Sequence, residues 1–120
     1  MYKITVESGF SAAHSLSEYG GDCENIHGHN FKVHVTASFR ELSREGMGID
    51  FRELKKITRE VLSKLDHRDL GNVEYFKEVN PTSENIAKYV YDEVKKKDIP
   101  VHRVTVFETD KYRVSYTEDG

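Results

Sequence analysis

The sequence predicts an α+β fold of element order ββααββ, an antiparallel four-stranded sheet with two helices on one face. Two observations predict it. Apolar and polar residues alternate with period two toward both ends of the chain, and apolar residues recur at helical spacing in two segments between them. Capping and breaking residues stand where one period gives way to the next.

Taken in order, Tyr2 to Phe10 alternates as a first strand, and residues 11–26, rich in Gly and polar side chains, read as a loop. From His27 the alternation is pronounced. His27, His29, Phe31, Val33, Val35, Ala37 and Phe39 share one parity, and Gly28, Asn30, Lys32, His34, Thr36, Ser38 and Arg40 the other. This is a half-buried second strand running to about Arg40. Residues 41–48, with Gly46 and Gly48, read as a hairpin connection into a short segment around Ile49.

Asp50 offers a helix N-cap with Glu53 three residues on, a capping-box variant. Leu54, Ile57, Val61, Leu62 and Leu65 give the first helix its apolar stripe, and the segment Leu65–Leu70 ends it. Pro81-Thr82-Ser83-Glu84 opens the second helix, with Ile86, Val90 and Val94 inward. Lys95, Lys96 and Lys97 complement the negative end of its dipole, and Pro100 stops it. The final strands run from about Val101 to Thr109 and from Tyr112 to Thr117, joined through Asp110-Lys111. So small an open sheet leaves its edges unpaired, a problem that oligomerisation would solve.

At 120 residues the sequence predicts a single domain, 1–120, with a modest core. A formal net charge of -3 argues against a nonspecific nucleic-acid binder. No apolar run reaches the length of a membrane span, and no basic-then-apolar leader opens the sequence. The one cysteine excludes an intramolecular disulfide and suits a reducing cytoplasm.

Chemistry concentrates at His14, Cys23, His27 and His29. Side chains of one strand parity share a face, so His27 and His29 project together, in line with the apolar stripe. His14 follows the small residues Ser11-Ala12-Ala13, which let it approach another element. Three neutral imidazoles leave a fourth tetrahedral position open, as at a catalytic zinc, and Cys23 is placed to reach what the metal binds.

Two further residues break the local pattern. Glu108 extends the inward parity of Val104 and Val106, an acid on an apolar face. Such a carboxylate either reaches solvent at the strand end or accepts paired N–H donors from a ligand. Asp66 precedes His67, where a carboxylate can orient an imidazole for proton transfer. Glu84 belongs most simply to the first turn of its helix. His34 and His102 have no companions and read as ordinary strand residues.

In order along the chain stand His14 after Phe-Ser-Ala-Ala, Cys23-x-x-x-His27-Gly28-His29-Asn30, Leu65-Asp66-His67, Pro81-Thr82-Ser83-Glu84-Asn85 and Val106-Phe107-Glu108-Thr109. Nearly the whole chain thereby resembles the 6-pyruvoyltetrahydropterin synthase and 6-carboxytetrahydropterin synthase family. The resemblance implies a tunnelling fold, in which subunits join their sheets into a barrel as a trimer or hexamer. It implies Zn2+ on His14, His27 and His29, with Cys23 as base and Asp66 and His67 as its relay. Glu108 would anchor the pterin ring, and Thr82, Ser83 and Glu84 would line its pocket.

The implied substrate is the small molecule 7,8-dihydroneopterin triphosphate. The short spacing from Cys23 to His27 resembles the 6-carboxytetrahydropterin synthases, which release acetaldehyde and triphosphate and feed deazaguanine tRNA modification, the route to queuosine and archaeosine. Triphosphate elimination to 6-pyruvoyltetrahydropterin is the second reading. Glu24 opens a third, cleavage to 6-hydroxymethyldihydropterin, which some relatives perform with a Glu near this position. A zinc cupin would want an acid and a histidine that the pattern after His29 does not supply. A non-catalytic pterin-binding module would not need Cys23, Asp66 and His67 together.

Overall fold

The computed structural model describes residues 1–14 and 27–118, and the backbone alone of His27. Strand β1 spans Tyr2–His14, β2 His27–Phe39, β3 Arg68–Asp69, β4 Val101–Phe107 and β5 Arg113–Tyr116, and helices α1 and α2 span Phe51–Leu62 and Ser83–Lys95. The sheet order is β3-β1-β2-β4-β5. The four long strands are antiparallel neighbours, as the sequence predicts. The sheet is nonetheless five-stranded and mixed, because β3 pairs in parallel with the end of β1, Ala12 opposite Arg68 and Ala13 opposite Asp69. A two-residue strand made of Arg and Asp carries no alternation, so no pattern announced it.

Strand β1 also runs further than its own composition suggests. Residues 11–14, expected to open a loop, continue the ladder to His14 opposite His27. Ser-Ala-Ala has weak strand preference, and the partner strand and β3 on the other side override it. Gly9 assists: a Cβ there would lie 2.7 Å from the Phe31 carbonyl oxygen, so only glycine allows this approach, beside the Phe10–Phe31 ring stack at 4.9 Å.

Both helices share one core with one face of the sheet. Val6, Phe10, Phe31, Val33, Val35, Val104 and Val106 join Leu54, Val61, Leu62, Ile86, Val90 and Val94, all buried. Burying one such side chain contributes roughly 1.5–3 kcal/mol. Asp50 caps α1 by accepting from the Arg52 N–H at 2.7 Å, and Thr82 caps α2 by accepting from the Asn85 N–H at 3.1 Å. Helix α1 stops at Leu62, and Leu65 stays fully buried in the turns leading to β3. Residues 40–50, with Gly46 at φ 84°, form turns between β2 and α1.

Strand β4 ends at Phe107, two residues before the expected Thr109, because a tight turn begins there. The Glu108 N–H donates to the Tyr112 carbonyl at 3.1 Å, and Thr109 Oγ1 accepts from the backbone of Lys111 and Tyr112. No helix among the described residues is long and apolar enough to cross a membrane.

Candidate metal centre and active site

The helix-facing parity of the sheet changes character at one end. On β1 it runs Val6, Phe10, His14; on β2 Val35, Val33, Phe31, His29; on β4 it passes through Val104 and Val106 to Glu108 just beyond the strand. Three polar side chains therefore meet at the rim of the core. The His14 and His29 rings stand edge to face at 5.1 Å, each with its centroid 5.6 Å from that of Phe31. His14 Nε2 lies 3.1 Å from Glu108 Oε1, and His29 Nε2 lies 3.6 Å from the same oxygen.

His14 is 6% exposed, so its partners decide its state. Its Nδ1 sits 2.8 Å from the carbonyl oxygen of Pro81. A carbonyl only accepts, so Nδ1 carries the hydrogen, and in a neutral ring Nε2 presents its lone pair. That lone pair faces a carboxylate oxygen, and two acceptors at 3.1 Å repel unless positive charge lies between them, a ring proton or a cation. One ligand atom from each of His14, His29 and Glu108 lies within 4.8 Å of the others, close enough to bind one ion. Two imidazole nitrogens and a carboxylate oxygen suit zinc and several other transition ions. The Pro81 carbonyl fixes the tautomer of His14 in the way an outer partner orients a metal-binding histidine. Its backbone carbonyl leaves no trace in residue identity, and sequence reasoning missed it.

Asp66 and His67 form the contact their adjacency suggested. Asp66 Oδ2 accepts from His67 Nδ1 at 3.0 Å, while Oδ1 accepts from the Ser11 N–H at 2.9 Å. The His67 N–H donates back to the Ser11 carbonyl. His67 takes a left-handed backbone, φ 56°, which a non-glycine residue holds only when its surroundings insist. The Ser11 N–H above all, against a desolvation that raises it and with help from His67, holds the Asp66 carboxyl below the ordinary carboxylate value. A fixed carboxylate on Nδ1 leaves Nε2 of His67 as its proton-accepting atom.

A cleft of about 480 Å³ joins the two groups. His29 from the metal cluster and His67 from the pair both line it, with Ser11, Asn30 and Arg68 among its walls. The other expected residues fare differently. Thr82 Oγ1 is engaged as the α2 cap, Ser83 is half-buried and Glu84 is exposed in the first turn; none of the three lines the cleft. Pro81, next in the chain, touches the site through its carbonyl oxygen on His14. Cys23 and Glu24 lie outside the described residues, as does the side chain of His27, whose backbone pairs with that of His14. His34 bonds to Glu7 at 2.8 Å, away from the site.

The model of the 6-pyruvoyl tetrahydropterin synthase family matches residues 3–119. The chain belongs to that family. A protein of Archaeoglobus fulgidus provisionally named 6-carboxy-5,6,7,8-tetrahydropterin synthase is 41% identical over 108 residues, covering 89% of this chain and 88% of its own. A dihydroneopterin monophosphate aldolase of Pyrococcus furiosus is 30% identical over 115 residues, covering 93% and 94%. The solved structure of Caenorhabditis elegans 6-pyruvoyl tetrahydropterin synthase superposes with a TM-score of 0.85 at 34% identity, covering 99% of this chain and 98% of that one. Membership makes the protein a pterin-synthase-family lyase, and these three relatives carry the names of three different reactions.

Proposed function

We propose that the protein is a zinc-dependent 6-carboxytetrahydropterin synthase, converting 7,8-dihydroneopterin triphosphate and water to 6-carboxy-5,6,7,8-tetrahydropterin, acetaldehyde and triphosphate. The observation that carries this reading is a cleft walled by both His29 and His67. A cation-binding corner and an oriented base share one volume there, as proton removal beside oxygen substituents requires. His14 and His29, with His27 from the same strand end, would hold the ion. Bound zinc would supply Lewis acidity toward the substrate's side-chain oxygens without redox chemistry.

The chain's own residues do the rest. Asp66 holds His67 in one tautomer, so its Nε2 can take a proton from substrate or from the Cys23 thiol. Cys23, as the thiolate, is the base that removes the side-chain proton. Glu108 anchors the 2-amino-4-oxo edge of the pterin through two parallel N–H···O bonds. Its contact with His14 puts that anchor against the metal corner. The edge of β5, and that of β1 beyond its short pairing with β3, fit a homo-oligomer, trimer or hexamer, acting in the cytoplasm.

A second reading, cleavage to 6-hydroxymethyldihydropterin, is favoured by Glu24 beside Cys23 and by the aldolase relative. The test is incubation with dihydroneopterin triphosphate and mass analysis of the products. Acetaldehyde with a 6-carboxy pterin supports the first reading. A hydroxymethyl product moves the assignment to the second, a pyruvoyl product contradicts both, and full activity in Cys23→Ala removes the thiol from the mechanism.

A further inference from the structure

Among 18 Lys and Arg residues the sequence offers no reason to prefer one as a phosphate ligand. The geometry does. Arg68 is the one Lys or Arg among the described residues lining the cleft that holds His29 and His67. We propose that Arg68 binds the phosphate chain of the substrate, a role that rests on the pterin triphosphate reading above.

Three observations support the assignment. The backbone of Arg68 is fixed: it pairs with Ala12 across β1–β3, and the preceding His67 N–H is bonded to Ser11. A guanidinium on so short and pinned a strand projects from a defined base. Its charge is also uncommitted, for Arg68 enters no ion pair among the described residues. The adjacent acid, Asp69, is turned to its own task, Oδ1 accepting from the Gly71 N–H at 3.0 Å.

The third observation is a gradient of exposure. The His14 side chain is 7% exposed, that of His29 27% and that of His67 81%, and Arg68 is exposed beyond it. A ligand whose flat pterin ring enters first would leave its charged tail at the wet end, where Arg68 stands. A polyphosphate loses little hydration there, and the planar fork matches two phosphate oxygens at once. Lysine would supply only a point charge.

The experiment is a double difference in affinity on the metal-loaded protein. The probes are the oxidised, fluorescent pterins neopterin and neopterin triphosphate, titrated against the parent protein, Arg68→Gln, Arg68→Lys and the charge-matched surface control Arg44→Gln. The parent protein is expected to prefer the triphosphate. Arg68→Gln should erase that preference by roughly ten- to a hundredfold while neopterin affinity stays unchanged. Arg68→Lys should recover part of it, and Arg44→Gln should match the parent. An undiminished preference in Arg68→Gln, or equal losses in Arg68→Gln and Arg44→Gln, overturns the assignment, as does a parent protein that binds both probes alike. A preference lost in Arg68→Gln in a protein that does not turn over dihydroneopterin triphosphate would keep the phosphate site and remove the synthase reading.

Discussion

One face of the sheet holds two regions built on the same parity. In its middle, Val33, Val35, Val104 and Val106 are fully buried against the helices. At its end the same rows deliver His29 and Glu108, with His14 beside them. The side-chain chemistry distinguishes the two. The middle is stable by burial alone. The end sets a lone pair against a carboxylate, and the fold satisfies the buried ring with a carbonyl from outside the sheet, that of Pro81. A sheet that continues its inward parity into unlike groups makes a site at the cost of leaving them dependent on a cation, a proton or a ligand.

The largest expected effect tests whether the two regions are separable. Leu54→Ala, in the apolar middle, should cost about 2–5 kcal/mol of stability and leave metal affinity unchanged. Phe31→Ala, at the boundary, should cost about 3–5 kcal/mol and also weaken metal binding, because its ring abuts both imidazoles. Chemical denaturation with metal titration reads both; equal metal affinity in the two variants would deny that Phe31 supports the corner.

Glu108→Gln sharpens the roles within the corner. As pterin anchor, Glu108 should raise KM about 10–100-fold on substitution with metal content intact. As a ligand, it should lower metal affinity by a similar factor. A smaller effect is expected at Thr82→Ala, which removes the α2 cap: about 1 kcal/mol of stability, with a modest loss of metal affinity because Pro81 precedes it. Metal affinity untouched in a destabilised Thr82→Ala would show that the Pro81 carbonyl is held without the cap.

The smallest effect concerns pH. The Asp66 carboxyl titrates below its ordinary value of 3.8 in the folded chain, chiefly through the Ser11 N–H. As pH falls the unfolded chain therefore takes up this proton first. The stabilisation is complete above the ordinary value and is lost as pH drops through the folded one. Below about pH 4 the parent protein should lose stability more steeply than Asp66→Asn, as followed by thermal unfolding. Parallel acid limbs would mean that the bond to Ser11 does not persist in solution.

Most of the fold was legible in the sequence because its signals were periodic. Alternation over 27–39, the stripe of Leu54, Val61 and Leu62, the cap at Asp50 and the start of the second helix within Pro81–Glu84 all stand where the sequence puts them. What escaped was made by partners rather than by local pattern. Strand β3 exists only because β1 lies beside it, and residues 11–14 are strand only because 27–30 pair with them. The candidate site divides in the same way. Asp66 with His67, and His14 with His29, could be read as residues, and both pairs meet in the structure. The Ser11 amide and the Pro81 carbonyl could not, since every residue but proline has such an amide and every residue such a carbonyl. Glu108 was visible as an acid on an apolar row, but its distance to His14 was not.

The most direct test of the account is the metal content of the purified protein and of His14→Ala after exhaustive dialysis, with folding checked by thermal unfolding. The account predicts about one zinc per chain in the parent protein and none in a folded His14→Ala. A parent protein without bound metal that still converts dihydroneopterin triphosphate, or a His14→Ala that keeps its zinc, would contradict it.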